Sequence, residues 1–115
     1  MGELIREKCV PCRSGAPQIT EPEISELTPQ IPQWTMLREE EMKLQRVFPF
    51  KNFAGAMAFA VKVGELAESA NHHPAILVEW GKVTVTWWTH AIRGLHRNDF
   101  IMAAQTDSLY SAASS

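Results

Sequence analysis

The chain has 115 residues, 45% of them apolar and 21% charged, with a net charge of −2 and a pI near 6.1. That is one domain's length of chain with enough apolar content for a core. The charge balance excludes the clustered Lys and Arg of a nucleic-acid or anionic-membrane surface, and the longest apolar run is far below the ~20 residues needed to span a bilayer.

Residues 1–19 read as a tail. Its start, Met1 to Lys8, carries Glu3 and Glu7 and no apolar signal segment, so a cytoplasmic location is expected. Within the tail Cys9-Val10-Pro11-Cys12 forms a CxxC. That spacing suits a redox pair or half of a zinc site. The surrounding segment is polar and contains Gly and Pro rather than a strand-to-helix junction, and no second ligand pair lies nearby. Two reduced thiols on a mobile tail is the simplest reading; an intersubunit disulfide or a metal site shared between subunits stays open.

Residues 20–115 read as a single domain. Thr20-Glu21-Pro22-Glu23 is a helix start, with Thr20 as cap, Glu23 completing a capping box and Pro in the first turn. Ile24 and Leu27 give this helix an apolar face, and Thr28-Pro29 ends it. Trp34 to Leu37 and Met42 to Phe50 read as two strands joined by the polar turn Arg38-Glu39-Glu40-Glu41. Met42, Leu44, Arg46 and Phe48 share one face by period two, and Lys43, Gln45 and Val47 share the other. Pro49 argues for an edge position or a strand terminus.

Asn52 caps a long helix, Phe53 to about Ala70. Phe53, Met57, Ala60, Val61, Gly64 and Ala67 form one stripe at helical spacing, and Phe59, Val63 and Leu66 a second. A helix apolar over so much of its circumference is expected to be covered on more than one side, by the sheet and by a neighbouring helix or subunit. Ile76 to Trp80 and Val83 to Thr89 are the clearest strands, with Gly81-Lys82 as a two-residue turn. That turn sets Trp80 opposite Val83, Val78 opposite Val85 and Ile76 opposite Trp87. On the other face Ala75 falls opposite Trp88 and, one pair further out on that face, His73 opposite His90, with Cβ atoms about 5 Å apart. Asn98 caps a last helix, Asp99 to about Ala113, with Asp99 in the first turn where a negative charge suits the macrodipole. The order is helix, hairpin, helix, hairpin, helix, an α+β class.

Three of the four histidines, His72, His73 and His90, fall in one window. Imidazole titrates near neutral pH. Glu68 lies one turn before His72 and is placed to orient it, while His73 points elsewhere. The expected pocket sits where the helix ends and the strands end, with Trp80 or Trp88 as an aromatic wall. It holds no nucleophile, so the chemistry indicated is proton transfer without a covalent intermediate. Three histidines can also hold a zinc ion, although adjacent ligands such as His72 and His73 pair poorly on one ion. They can also be purely structural. His96, between strand and helix, reads as exposed.

The run Glu68-x-x-x-His72-His73-Pro74, followed by Trp80, His90 and Asp99, resembles the signature of the pterin-4a-carbinolamine dehydratase family. Leu44-Gln45-Arg46-Val47-Phe48-Pro49-Phe50-Lys51-Asn52-Phe53, Gly81-Lys82-Val83-Thr84-Val85 and the stretch from Thr89 to Asp99 fit as well. The resemblance covers about residues 20–110. The tail, with its CxxC and Gly15-Ala16-Pro17, looks like that of bacterial members associated with phenylalanine hydroxylase. The aspartate that often precedes the histidine pair in animal members is Asn71 here, so no role is carried onto it.

The resemblance implies a four-stranded antiparallel sheet with helices packed on one face, assembled as a homodimer or homotetramer. It implies dehydration of 4a-hydroxytetrahydrobiopterin to quinonoid dihydrobiopterin and water, in tetrahydrobiopterin recycling for aromatic amino acid hydroxylation. It implies no metal and no cofactor, pterin being the substrate. His72, His73 and His90 match the catalytic positions; Glu68, Trp80, Trp88 and Asp99 are the substrate-binding or orienting candidates. The rival expectation, from members of the same fold that act as partners, is a non-catalytic transcriptional or assembly cofactor.

Overall fold

A computed structural model describes residues 18–38 and 40–114; the CxxC lies outside them. The elements are α1 (Glu21–Leu27), β1 (Thr35–Arg38), β2 (Met42–Pro49), α2 (Phe53–Ala70), β3 (Ala75–Glu79), β4 (Lys82–Trp87) and α3 (Arg97–Ser114). Short 3-10 turns lie at Thr28–Gln30 and His90–Ile92. The strands form one antiparallel sheet in the order β1-β2-β4-β3, and the helices pack on it.

Local chemistry accounts for the helix ends. Thr20 accepts from Glu23 N while the Glu23 carboxylate accepts from Thr20 N, the reciprocal capping box expected. The Thr20 backbone N–H and the Thr20 hydroxyl both donate to the Glu23 carboxylate and hold it below its ordinary value. Asn52 accepts from Gly55 N at 2.7 Å and opens α2. At the other end Asn71 adopts the left-handed region, φ 51°. Its N–H donates to Glu68 O, and His72 N donates to Ala67 O. This is a Schellman closure with Asn in the position that usually takes Gly.

The core lies between sheet and helices. Leu44, Phe48, Val83, Val85 and Trp87 from the inner strands meet Phe59 and Val63 of α2 and Phe100 and Met102 of α3. Of the two stripes on α2, the buried side carries Ala56, Phe59, Val63 and Ala67. Phe53, Met57 and Val61 stand 48%, 41% and 54% exposed, so within one chain α2 is covered on one side only. Pro49 ends β2, an inner strand, where its missing N–H costs no ladder bond further along. Arg46 pairs with Asp107 at 2.6 Å and lies over the rings of Phe48 and Tyr110, and Trp34 Nε1 donates to the same carboxylate. Burial pushes the Asp107 carboxyl up from its ordinary value, against the bonds from Trp34 and Arg46.

The second hairpin corrects the expected register. Glu79 pairs with Lys82, Val78 with Val83, Leu77 with Thr84 and Ile76 with Val85. The turn is therefore Trp80-Gly81, not Gly81-Lys82, and β3 is displaced by two residues against β4. The same face remains apolar, because a slip of two leaves every side chain on its side of the sheet. The expected juxtaposition of His73 and His90 is lost. Continued past Ala75–Thr86, the observed register would bring His73 opposite Trp88, and β4 ends at Trp87. The chain then closes through a bridge between Thr89 and Gly94, with His90 opening the 3-10 turn inside it.

Candidate active site

His72 leaves the end of α2 and turns inward. Its ring lies parallel to Trp87, with centroids 5.7 Å apart and planes 3° from each other. Trp87 is itself fully buried and fixed by its Nε1 donating to Thr106 Oγ1. Nε2 of His72 is 2.7 Å from Asp99 Oδ1, and the His72 side chain keeps 10% of its surface exposed. Asp99 is fully buried in the first turn of α3. Its other oxygen, Oδ2, accepts from Thr89 Oγ1 at 2.7 Å and from the backbone N–H of His96 at 2.9 Å. The carboxylate thus ties the end of α2, the end of β4 and the start of α3 together at one point.

Two expectations about partners change here. Glu68 does not orient His72. The helix ends at Ala70, and the left-handed Asn71 swings His72 off the helical face that Glu68 occupies. The carboxylate beside His72 is Asp99, supplied from 27 residues further along. Glu68 instead faces His73, 3.5 Å from its Nε2, and both side chains are more than half exposed. Asp99 is more than a helix-end charge, although it also acts as one. Residues 97–99 form the first turn, so α3 starts before the expected Asn98 cap. His96 takes that place: its Nδ1 accepts from Asn98 N while Asp99 reaches back to its N–H. His96 is accordingly half-buried rather than exposed.

His90 is exposed and packs against Trp88, ring centroids 4.3 Å apart, and Lys43 Nζ lies 4.4 Å above the same indole. Trp88 is therefore the aromatic neighbour of a histidine. Trp80 sits at the β3–β4 turn, 72% exposed. From His73 it is a full strand length away, roughly 20 Å at 3.3 Å per residue. The structure thus joins His72 to Asp99, His73 to Glu68 and His90 to Trp88, and leaves Trp80 apart from all three within the chain. Trp87 and Thr89 are neighbours of the site that read, in the sequence, as ordinary strand residues. An open groove of about 590 Å³ runs along α2 beside His73, lined by Val61, Gly64, Glu68, Pro74 and Ile76.

Chemically this is an acid–base arrangement. A buried carboxylate holds one histidine at the surface, and two further imidazoles stand exposed. Among the described residues no three His, Cys, Asp or Glu side chains gather as a group that could hold a metal ion. Among those residues no helix is long and apolar enough to cross a membrane.

Comparison with known proteins gives a consistent result. The family model described as "Pterin 4 alpha carbinolamine dehydratase" matches residues 17–109. A protein of Nitrosococcus oceani is 58% identical over 110 residues, covering 95% of this chain and 97% of its own. One of Chlorobium luteolum is 56% identical over 111 residues, covering 96% and 97%. Both carry the name "Putative pterin-4-alpha-carbinolamine dehydratase". Among solved structures, a transcriptional coactivator/pterin dehydratase from Brucella melitensis superposes with a TM-score of 0.74 at 29% identity, over 81% of this chain and 98% of that one. A pterin dehydratase-like protein identified as a RuBisCO assembly factor in the alpha-carboxysome gives a TM-score of 0.57 at 23% identity, over 68% and 92%. That second likeness concerns the fold alone.

Proposed function

This chain belongs to the pterin 4 alpha carbinolamine dehydratase family, and on that premise we propose that it is a hydro-lyase. Its substrate is 4a-hydroxytetrahydrobiopterin and its products are quinonoid dihydrobiopterin and water. The carbon–oxygen bond at position 4a breaks, and the oxygen leaves with an added proton as water. The neighbouring ring nitrogen gives up its proton, and its electron pair forms the new carbon–nitrogen double bond. One proton is delivered and one removed, so a pair of imidazoles suffices and neither metal nor cofactor is required.

The observation that carries this reading is the His72–Asp99 pair, 2.7 Å apart on a fully buried carboxylate. A neutral-pH acid or base with a fixed ring is what proton transfer at two points on one substrate asks for. His72 and His90 exchange the protons. His73, with Glu68 beside it, binds and positions the pterin, and Trp88 supplies an aromatic surface next to His90. The protein works in the cytoplasm beside an aromatic amino acid hydroxylase, phenylalanine hydroxylase in the first instance, which generates the 4a-hydroxypterin. The exposed Phe53, Met57 and Val61 support assembly into a homodimer or homotetramer.

The test generates the 4a-hydroxypterin with a hydroxylase and follows the decay of its ultraviolet absorbance. The protein is expected to accelerate the decay. His72→Ala combined with His90→Ala is expected to remove about 10²–10⁴-fold or more of that acceleration. No acceleration by the wild type, or full activity in the double variant, overturns the reading. A stoichiometric partner in an inactive preparation would favour the second reading, a binding role like that of the Brucella melitensis coactivator, with the exposed stripe on α2 as its surface.

A further inference from the structure

We infer that Thr89 is a positioning residue that fixes the tautomer of His72, so that Nδ1 and not Nε2 is the nitrogen that meets the substrate. As a carboxylate, Asp99 can only accept hydrogen bonds. Two donors converge on one of its oxygens: the Thr89 hydroxyl at 2.7 Å and the His96 backbone N–H at 2.9 Å, both on Oδ2. Thr89 is 2% exposed and Asp99 fully buried, so water does not compete there. With Oδ2 held twice, Oδ1 is aimed at His72, 2.7 Å from Nε2.

The consequence is a proton assignment. Facing a carboxylate oxygen at that distance, Nε2 carries a hydrogen and donates it. In the neutral ring the other nitrogen, Nδ1, then holds the free lone pair. A half-turn about Cβ–Cγ would keep the ring parallel to Trp87 but set Cε1 where Nε2 stands, so it is the bond to Asp99 that holds this ring orientation. No buried side-chain nitrogen or oxygen among the described residues lacks a partner. Nδ1 is the nitrogen not given to Asp99, on a side chain that keeps 10% of its surface exposed. His72 therefore offers the substrate a single, predetermined nitrogen. Its Nε2–H stays with Asp99 through the proton exchange, and Thr89 acts through Asp99 rather than by touching the pterin.

Thr89 has the right chemistry for this and its isosteres separate the possibilities. Thr89→Val keeps the shape and removes the donor; Thr89→Ser keeps the donor. With one of its two anchors gone, the Asp99 carboxylate is free to rotate and His72 samples both tautomers. The inference rests on the dehydratase reading for its consequence but not for its test, since the tautomer is read without substrate. Nitrogen-15 NMR of labelled wild-type protein, at a pH where His72 is neutral, is expected to show a protonated Nε2 and an unprotonated Nδ1. Thr89→Ser is expected to keep that pattern, and Thr89→Val to give averaged shifts at both nitrogens. Thr89→Ala replaces Thr89→Val should the latter not fold. In the pterin assay the donor-less variant is expected to lose about 10–100-fold in kcat, as one bond to a charged group is lost, and the Ser variant to recover most of it. A wild-type signal from protonated Nδ1, or a tautomer unchanged in the donor-less variant, overturns the inference. Fixed tautomers in a protein without pterin activity would overturn the dehydratase reading and leave this one standing.

Discussion

Asp99→Asn exchanges one carboxylate oxygen for an NH2 group and leaves the side chain's shape almost unchanged. In the native protein Asp99 is fully buried and receives the Thr89 hydroxyl, the His96 N–H and His72 Nε2 within 2.9 Å. The His96 backbone N–H can only donate, so the carboxamide oxygen takes the Oδ2 place and the new NH2 faces His72. A hydrogen bond to a charged group is worth about 1.5–3 kcal/mol and a neutral one about 0.5–1.5. Weakening two bonds and inverting the third therefore costs roughly 2–4 kcal/mol. For a domain of this size that lowers the melting temperature by about 10–25 °C. Stabilities of ~5–15 kcal/mol leave such a variant folded in the cold. Alanine would strand all three donors at about 1–3 kcal/mol each, which makes asparagine the more informative change. The new amide donates to Nε2 and forces the His72 hydrogen onto Nδ1, so a loss of about 10²–10⁴-fold in kcat is expected. The assay is the pterin absorbance decay at a temperature where circular dichroism reports a native fold. A folded variant within about threefold of wild-type kcat/KM would refute the role given to Asp99, and an unchanged melting temperature would refute the account of its burial.

Other changes read separate parts of the molecule. Asp107→Ala strands the Arg46 guanidinium and the Trp34 indole N–H; a loss of about 1–3 kcal/mol is expected in urea denaturation, with part of it recovered by adding Arg46→Met. Thr20→Ala removes the cap of α1 and is expected to cost about 1 kcal/mol. Thr20 holds the Glu23 carboxyl below its ordinary value, so the contribution of that contact is present above the ordinary carboxylate range and lost as pH falls through the lowered folded value. Alanine keeps the backbone N–H and loses only the hydroxyl's bond to that carboxylate, so the stability gap between wild type and Thr20→Ala should narrow in part on acidification, measured by melting curves between neutral and acid pH. Glu68→Gln breaks an exposed 3.5 Å pair with His73; melting should move by less than about 1 kcal/mol, while KM for the pterin rises and kcat holds, a split that steady-state kinetics reads directly.

The elements were legible because each carries its own local signal. Thr20 with Glu23 and Asn52 before an apolar stripe mark helix starts, and period-two alternation in Met42 to Phe48 marks a strand whose buried face follows from parity alone. Register is a different quantity. A one-residue slip of β3 against β4 would have turned Ile76 and Val78 outward and been visible in the pattern. The actual displacement is two, and Ile76, Val78, Val83 and Val85 share a face either way. Only the turn distinguishes the alternatives, through whether Gly81 stands first or second in it. The second arrangement brings Glu79 to 3.8 Å from Lys82, an exposed pair worth too little to decide the matter alone.

The site inherits that ambiguity and resolves it elsewhere. The expected meeting of His73 with His90 depended on the register, and the expected meeting of Glu68 with His72 depended on the helix running four residues past Glu68. Asn71 was the readable sign against the second, since Asn tolerates the left-handed conformation that closes a helix. Asp99 was readable in part as an acidic residue in a first helical turn. Its contact with His72 spans 27 residues, and no periodicity reports a contact between two elements that have yet to be packed. The chemistry does not need the histidines to face one another across a ladder. It needs one imidazole with a fixed ring and a known proton. The buried carboxylate supplies that by joining three chain segments at a single point, so its displacement would perturb His72 and the start of α3 together.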